Sequence, residues 1–145
     1  MFYLRATINL GPNLISWWSC KQTMVSRSST DVEYLSLFAA TVYILWIQTL
    51  LKELSVSHQI TIVLCDNLSV VHLAHNSVLH AKSGQMELDM FFVRDKILAK
   101  KLLVRHIPGQ DQWANLLTKL LSPTRFSFIK TKLNVVDLPL VSHPP

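Results

Sequence analysis

Two carboxylates stand where an α/β chain could bring them together. Asp66 directly follows ITIVLC at 60–65, an apolar, β-prone run that predicts a strand buried on both faces of a sheet. Glu33 lies near the start of a long apolar segment that predicts a helix to about Leu54. If the first turn of the helix abuts the strand end, the two side chains converge. Their oxygens would suit Mg²⁺, and two such ions can clamp a phosphodiester during in-line attack by water.

Each carboxylate also has a purely structural interpretation. The sequence Thr30-Asp31-Val32-Glu33 fits a capping box, in which the Thr30 hydroxyl and the Glu33 carboxylate satisfy backbone donors. Asp66 and Asn67 fit a simple turn after the strand. Spacing alone leaves the metal site and the structural alternative open.

The elements that must position these residues alternate between strands and helices. Turn residues at 11–13 separate two β-prone segments and predict a hairpin over residues 1–19. The order β-β-α-β-α-α-β-α-α is typical of an α/β protein with a mixed β-sheet flanked by helices. After the hairpin we predict strands at 60–65 and 102–107 and helices at about 30–54, 69–75, 85–100, 111–120 and 123–133.

Composition limits the classes to consider. The chain has 145 residues, half of them hydrophobic and 16% charged, with a formal charge of +5. These values exclude a disordered acidic protein and predict one domain over residues 1–135 with a disordered tail over 136–145. Two cysteines, Cys20 and Cys65, exclude a disulfide scaffold and a cysteine-rich zinc module.

One segment invites a membrane interpretation. Residues 34–51 carry no formal charge over eighteen positions, which meets the length threshold for a spanning helix. Polar residues such as Ser36 and Gln48, and flanking charges without asymmetry, favour a buried amphipathic helix instead. The N-terminus lacks the order of a signal peptide. We therefore expect an intracellular protein, cytoplasmic or nuclear, without a membrane partner.

Six sequence blocks carry a family resemblance. ISWWSCKQ at 15–22, SSTDVEY at 28–34 and CDNLS at 65–69 resemble the ribonuclease H domain of copia-type retrotransposon Pol polyproteins, in particular those of plants. The likeness continues, in order, through NSVLHAK at 76–82, ELDMFFVRDK at 87–96 and HIPGQDQWANLLTK at 106–119, so that it covers roughly residues 14–135.

The resemblance implies a ribonuclease H-like mixed sheet and cleavage of the RNA strand of an RNA·DNA hybrid. The family uses two Mg²⁺ ions held by four carboxylates. Two of these carry over as catalytic residues and metal ligands, namely Glu33 and Asp66. A family histidine matches His80, which would assist product release or proton transfer or simply pack within its loop.

The other two carboxylates do not carry over. The family's first aspartate lies on an opening strand upstream of residue 1, so we expect an N-terminally truncated domain whose opening strand is missing. The fourth aspartate is replaced by Asn115, which brings no negative charge. Asp111, one predicted helical turn earlier, could substitute for it. We expect weak or absent Mg²⁺ binding and an inactive or strongly impaired nuclease, which an upstream reverse transcriptase segment would normally precede.

Basic residues offer a second function. Six of them fall in the central part of the chain and could contact phosphates or form a solvated helix face: Lys82, Arg94, Lys96, Lys100, Lys101 and Arg105. His72 and His75 lie three residues apart, without zinc-like partners nearby, and predict an exposed helix face. The alternatives to a nuclease remnant are therefore a non-catalytic nucleic-acid-binding module on the same fold or a small membrane-associated protein using residues 34–51.

Overall fold

A computed structural model of the chain describes residues 3–23, 28–76 and 84–137. The contacts divide into two compact units. Unit 1 comprises Met1–Leu4 and Cys20–Gln112, and unit 2 comprises Arg5–Ser19 and Trp113–Pro145. The prediction of one domain over 1–135 stays a prediction.

Unit 1 is built around one long helix and a parallel strand pair. Its elements are α1 (Ser29–Glu53), β3 (Thr61–Cys65), α2 (Leu68–His75), α3 (Gly84–Leu98) and β4 (Leu102–His106). The strands β3 and β4 pair in parallel, with Thr61 opposite Leu102 and Cys65 opposite His106. Gln48 of α1 fixes the start of both strands, because its side-chain amide donates to the Thr61 hydroxyl and to the Lys101 carbonyl, each at 2.9 Å.

The core of unit 1 lies between α1, α2, α3 and the strand pair. Along α1, residues Tyr34, Leu37, Thr41 and Ile44 are buried at helical spacing, as a helix with one core-facing side requires. They pack with residues of the other elements, including Val70, Val93, Leu102 and Val104. By length and composition alone α1 could also cross a membrane, a test that core helices of soluble proteins pass as well.

Unit 2 holds most of a β-hairpin and a C-terminal helix. The hairpin strands are β1 (Tyr3–Leu10) and β2 (Asn13–Lys21), and Gly11 in their turn has a φ of +59°, which glycine adopts without strain. Helix α4 (Pro123–Lys132) begins at the N-cap Ser122, whose hydroxyl accepts from the Arg125 backbone N–H at 3.2 Å. The helix buries Ile129, and Leu133 at its C-cap is also buried.

The element order predicted from the sequence is confirmed for the described strands and for four helices, and the α/β class with it. The single mixed sheet is not formed by these strands, which make two separate pairs, β1 with β2 and β3 with β4. Strand β3 is also not buried on both faces, because Ile62 and Leu64 are 44% and 50% exposed. The elements of unit 1 cover one face of β3 only.

The prediction of a helix at 111–120 is wrong. Two short 3-10 turns take its place, at Gly109–Asp111 and Trp113–Leu117. Gln112 between them is extended, and its side-chain amide donates to the Leu64 carbonyl of β3 at 3.2 Å. Because this bond holds the chain against β3, the helix cannot run through, and Asp111 does not share a helical face with Asn115.

The prediction of a capping box that begins at Thr30 is also wrong, because the N-cap of α1 lies two residues earlier. Ser28, not Thr30, caps α1, because its extended backbone places its hydroxyl 3.2 Å from the Asp31 backbone N–H. The position three residues after this cap is Asp31 rather than Glu33. Glu33 therefore lies beyond the capping positions of α1, and the capping interpretation of its carboxylate is wrong.

Candidate functional site

The predicted carboxylates lie at one end of the parallel strand pair in unit 1. Asp66 follows the last residue of β3, and Glu33 lies in the second turn of α1. Both charges act on the same group, the thiol of Cys65, which is buried at the end of β3. Glu33 and Asp66 are thus both within electrostatic range of Cys65, and their joint role as metal ligands stays a prediction.

The pKa of the Cys65 thiol reflects the burial and the charges at this end of β3. Its pKa is raised to about 11, chiefly by burial; the backbone hydrogen bond with Asn67 lowers the pKa, and the negative charges of Glu33 and Asp66 raise it. The thiol contacts the Asn67 carbonyl at 3.6 Å. At neutral pH Cys65 is therefore protonated, and it fills space beside the two carboxylates without adding a third anionic ligand.

The loop after β4 closes against Asp66. A Cβ on Gly109 would lie 3.6 Å from the Asp66 Oδ2 atom, so this stretch of backbone runs in van der Waals range of the carboxylate. Two hydrogen bonds hold the loop to β3. One runs from the Ile107 N–H to the Cys65 carbonyl at 2.9 Å, and the other is the Gln112 contact with Leu64. The sequence did not predict that Gln112 positions this loop. The only signal for it was its place in the sequence block at 106–119.

Asn115 occupies a structural position in unit 2. It is buried, and its Oδ1 atom accepts a hydrogen bond from the Arg5 guanidinium at 3.0 Å. Its backbone carbonyl accepts from the N–H groups of Thr118 and Lys119. An aspartate at this position would place a carboxylate beside a guanidinium, an arrangement that stabilises the ionised acid.

The predicted basic residues separate into two groups. Arg94 is committed to structure, since its guanidinium donates twice to the Leu73 carbonyl, at 3.1 and 3.3 Å. Lys96 pairs with Asp95 at 2.9 Å and lies over the Phe92 ring. By contrast, Lys100 and Lys101 are exposed just before β4 and Arg105 is exposed near the end of that strand, where a phosphate could reach them. Lys82 and His80 lie outside the described residues.

The remaining titratable candidates do not form a cluster. His72 and His75 are exposed on α2, as predicted, and the His75 ring contacts the Val71 carbonyl. Across residues 3–23, 28–76 and 84–137, no three His, Cys, Asp or Glu side chains lie close enough together to hold a metal ion. Glu33 and Asp66 therefore match a hard divalent cation in ligand type, but they are two ligands rather than three or more.

The site belongs to an α/β protein with a carboxylate, Asp66, at the carboxyl end of a parallel strand pair, a common location for ligand sites. The chain is 37% identical over 134 residues to the retrovirus-related Pol polyprotein from transposon RE2 of Arabidopsis thaliana. It is 36% identical over 133 residues to that from transposon RE1 of the same plant. Each match covers 91% of this chain and 9% of the relative.

A third relative is the retrovirus-related Pol polyprotein from transposon TNT 1-94 of Nicotiana tabacum, 28% identical over 80% of the chain. No family model matches the chain, and no solved structure does. The chain is therefore related to one segment of the retrovirus-related Pol polyproteins of plant copia-type transposons, and the resemblance drawn from the sequence blocks is confirmed at that level.

Proposed function

We propose that the chain is a remnant of a retrotransposon ribonuclease H domain, which ancestrally cleaved the RNA strand of RNA·DNA hybrids and is strongly impaired here. The observation that carries this proposal is the position of Asp66 at the carboxyl end of the parallel strands β3 and β4, beside the Gly109 loop, with Glu33 near enough to act electrostatically on the adjacent Cys65. The relationship to Pol polyproteins supports it, since those proteins come from transposons.

In this proposal Glu33 and Asp66 would hold a Mg²⁺ ion, which when bound would polarise a phosphodiester and activate water. The loop of Gly109, held by Gln112, closes one side of the Asp66 carboxylate and limits where a substrate could approach. Two carboxylates offset the formal charge of one divalent ion but only half that of two, and Mg²⁺ gives up its water reluctantly. The resemblance implies a further carboxylate where this chain has Asn115, and the loss of that charge would contribute to the impairment.

The direct test is cleavage of a labelled RNA·DNA hybrid in Mg²⁺ or Mn²⁺. We expect the unmodified chain to cleave at or near background, and Asn115→Asp to raise the rate measurably. Adding Asp66→Asn to that variant should abolish the gain. Robust cleavage by the unmodified chain that Asp66→Asn abolishes would contradict the impairment, and an Asn115→Asp variant without any gain would remove Asn115 from the argument.

A non-catalytic module that binds nucleic acid is the second candidate. It is favoured by the exposed cations Lys100 and Lys101 before β4 and Arg105 near the end of that strand. Binding to a labelled hybrid should weaken with salt, and Lys100→Gln with Lys101→Gln should lower the slope of log affinity against log salt by about 1.8. The matched control is Lys21→Gln with Lys52→Gln, which removes the same charge from other exposed positions of unit 1 and should leave the slope nearly unchanged.

A further inference from the structure

The positive charge of the chain is concentrated in unit 2. This unit carries five Lys and Arg residues against one Asp, a formal charge of +4, whereas unit 1 carries nine against eight. The one acid, Asp137, is paired with Lys130 at 2.6 Å. Unit 2 therefore presents a net cationic surface that a polyanion would recognise.

Two of these cations are held together on α4 by one aromatic ring. The Arg125 guanidinium lies 5.2 Å from the centre of the Phe128 ring, and the Lys132 ammonium lies 5.4 Å from it. Arg125 and Lys132 are seven residues apart, which places them two turns apart on the same face of the helix. In the part of the chain that the structure describes, neither forms an ion pair with a carboxylate, so the ring holds two uncompensated charges on one face.

A groove runs beside this pair. The rings of Trp113 and Phe128 line it, together with hydroxyl groups from α4, the Lys132 side chain and the hairpin turn at Pro12. The hydroxyls come from Thr124, Ser127 and Thr131. Apolar rings beside hydrogen-bonding groups and a cation form a surface that suits a nucleotide, with its flat base and its phosphate.

We propose that this surface, defined by Trp113, Arg125, Phe128 and Lys132, binds single-stranded nucleic acid. An unpaired base would enter the groove beside the two rings, and the flanking phosphates would lie against Arg125 and Lys132. A single strand is specified because the bases of a duplex are stacked on each other and cannot offer a free face. The proposal goes beyond the ribonuclease function and does not depend on Glu33, Asp66, Lys100 or Lys101.

An anionic membrane is the competing partner for a basic helix with exposed Phe residues. The concave shape of the groove and the side chains of Thr124 and Ser127 in its lining favour nucleic acid, because a flat bilayer would offer these hydroxyls no hydrogen-bonding groups. The two apolar residues buried most deeply at this end of the chain, Ile129 and Leu133, also face the interior of unit 2 and are not available to insert into lipid.

The test is fluorescence anisotropy of labelled oligo(dT) with the full chain over a range of salt concentrations. Arg125→Gln with Lys132→Gln should lower the slope of log affinity against log salt by about 1.4, since single strands release about 0.7 counterion per phosphate contact. Phe128→Leu keeps an apolar side chain at a position that is 47% exposed, and it should weaken binding about fivefold or more. Unchanged circular dichroism establishes that each variant is folded.

Control variants separate this surface from general charge attraction and from the hybrid-binding proposal. Lys21→Gln with Lys52→Gln should leave oligo(dT) binding nearly unchanged, and Lys100→Gln with Lys101→Gln should affect hybrid binding only. The proposal would be overturned if Arg125→Gln with Lys132→Gln weakened oligo(dT) binding no more than Lys21→Gln with Lys52→Gln does. The proposal would also be overturned if the chain bound phosphatidylserine vesicles but not oligo(dT), and if Arg125→Gln with Lys132→Gln abolished the vesicle binding.

Discussion

Unit 1 and unit 2 divide the chemistry of the chain between them. Unit 1 carries eight of the nine acids, Glu33 and Asp66 among them, and most of the buried side chains of the described residues. Unit 2 carries nearly all of the net positive charge, with Ala114, Asn115, Ile129 and Leu133 as its buried residues in the described part. An anionic site and a cationic surface in one short chain can both serve a nucleic acid, the first through a metal and the second directly.

The difference in core size gives the largest expected effect. Leu102 is fully buried in unit 1, and Leu102→Ala should lower the free energy of unfolding by about 2–5 kcal/mol, because it removes apolar contacts and leaves a cavity. Urea denaturation measures this. The matched control is Leu98→Ala, at a position 82% exposed, which should change stability by less than about 0.5 kcal/mol. Equal effects of the two substitutions would contradict the placement of the core.

The helix caps of the two units form a matched pair. Ser28→Ala should destabilise α1 and Ser122→Ala should destabilise α4, each by about 1 kcal/mol, because each removes an acceptor for a backbone N–H at 3.2 Å. Hydrogen exchange resolved by residue would show faster exchange in the corresponding helix. Thr30→Ala is the control, and a larger effect there than at Ser28 would restore the capping box inferred from sequence.

Unit 1 also contains a buried phenol, the side chain of Tyr34. Among the described residues, the buried Tyr34 hydroxyl has no hydrogen-bond partner; burial raises its pKa, while Arg94 lowers it and Asp89 raises it. Tyr34→Phe should therefore be neutral or should raise the free energy of unfolding by up to about 1 kcal/mol. Tyr34→Ala, which empties the site, should instead cost about 3–5 kcal/mol. A loss of more than about 1 kcal/mol for Tyr34→Phe would mean that the hydroxyl is satisfied.

The smallest effects are expected at the helix C-termini. Lys100 after α3 and Asn134 after α4 adopt positive φ angles of 54° and 56° in a turn that glycine usually occupies. Lys100→Gly should raise the free energy of unfolding by about 0.5–1 kcal/mol, because lysine is strained there. A slight rise in the melting temperature would measure this. Asn134→Gly should gain less, since asparagine tolerates this conformation. The reverse order would show that the side-chain contacts of Lys100 outweigh the strain.

The pattern of apolar residues predicted most of the secondary structure because it depends on local periodicity. The bounds of α1, β3 and β4 agree with the expected ranges within about two residues. The failures have non-local causes. The helix expected at 111–120 is broken by a hydrogen bond from Gln112 to Leu64, 48 residues away in sequence. The exposure of Ile62 and Leu64 likewise depends on which elements cover β3, and an apolar run does not encode this.

The candidate site follows the same division. The sequence alone, through residue positions and the family resemblance, predicted Glu33 and Asp66 as the acids that would hold a divalent ion, and it showed that Asn115 lacks the charge of a carboxylate. Only the tertiary structure decided that Glu33 is released from capping by Ser28 and that both carboxylates act on Cys65. It also decided that Arg94 and Lys96 have partners of their own while Arg125 and Lys132 share one ring. Sequence specifies chemical groups, but the packing of distant segments determines which of them meet, because charge and hydrogen bonding act only over a few ångströms in folded space.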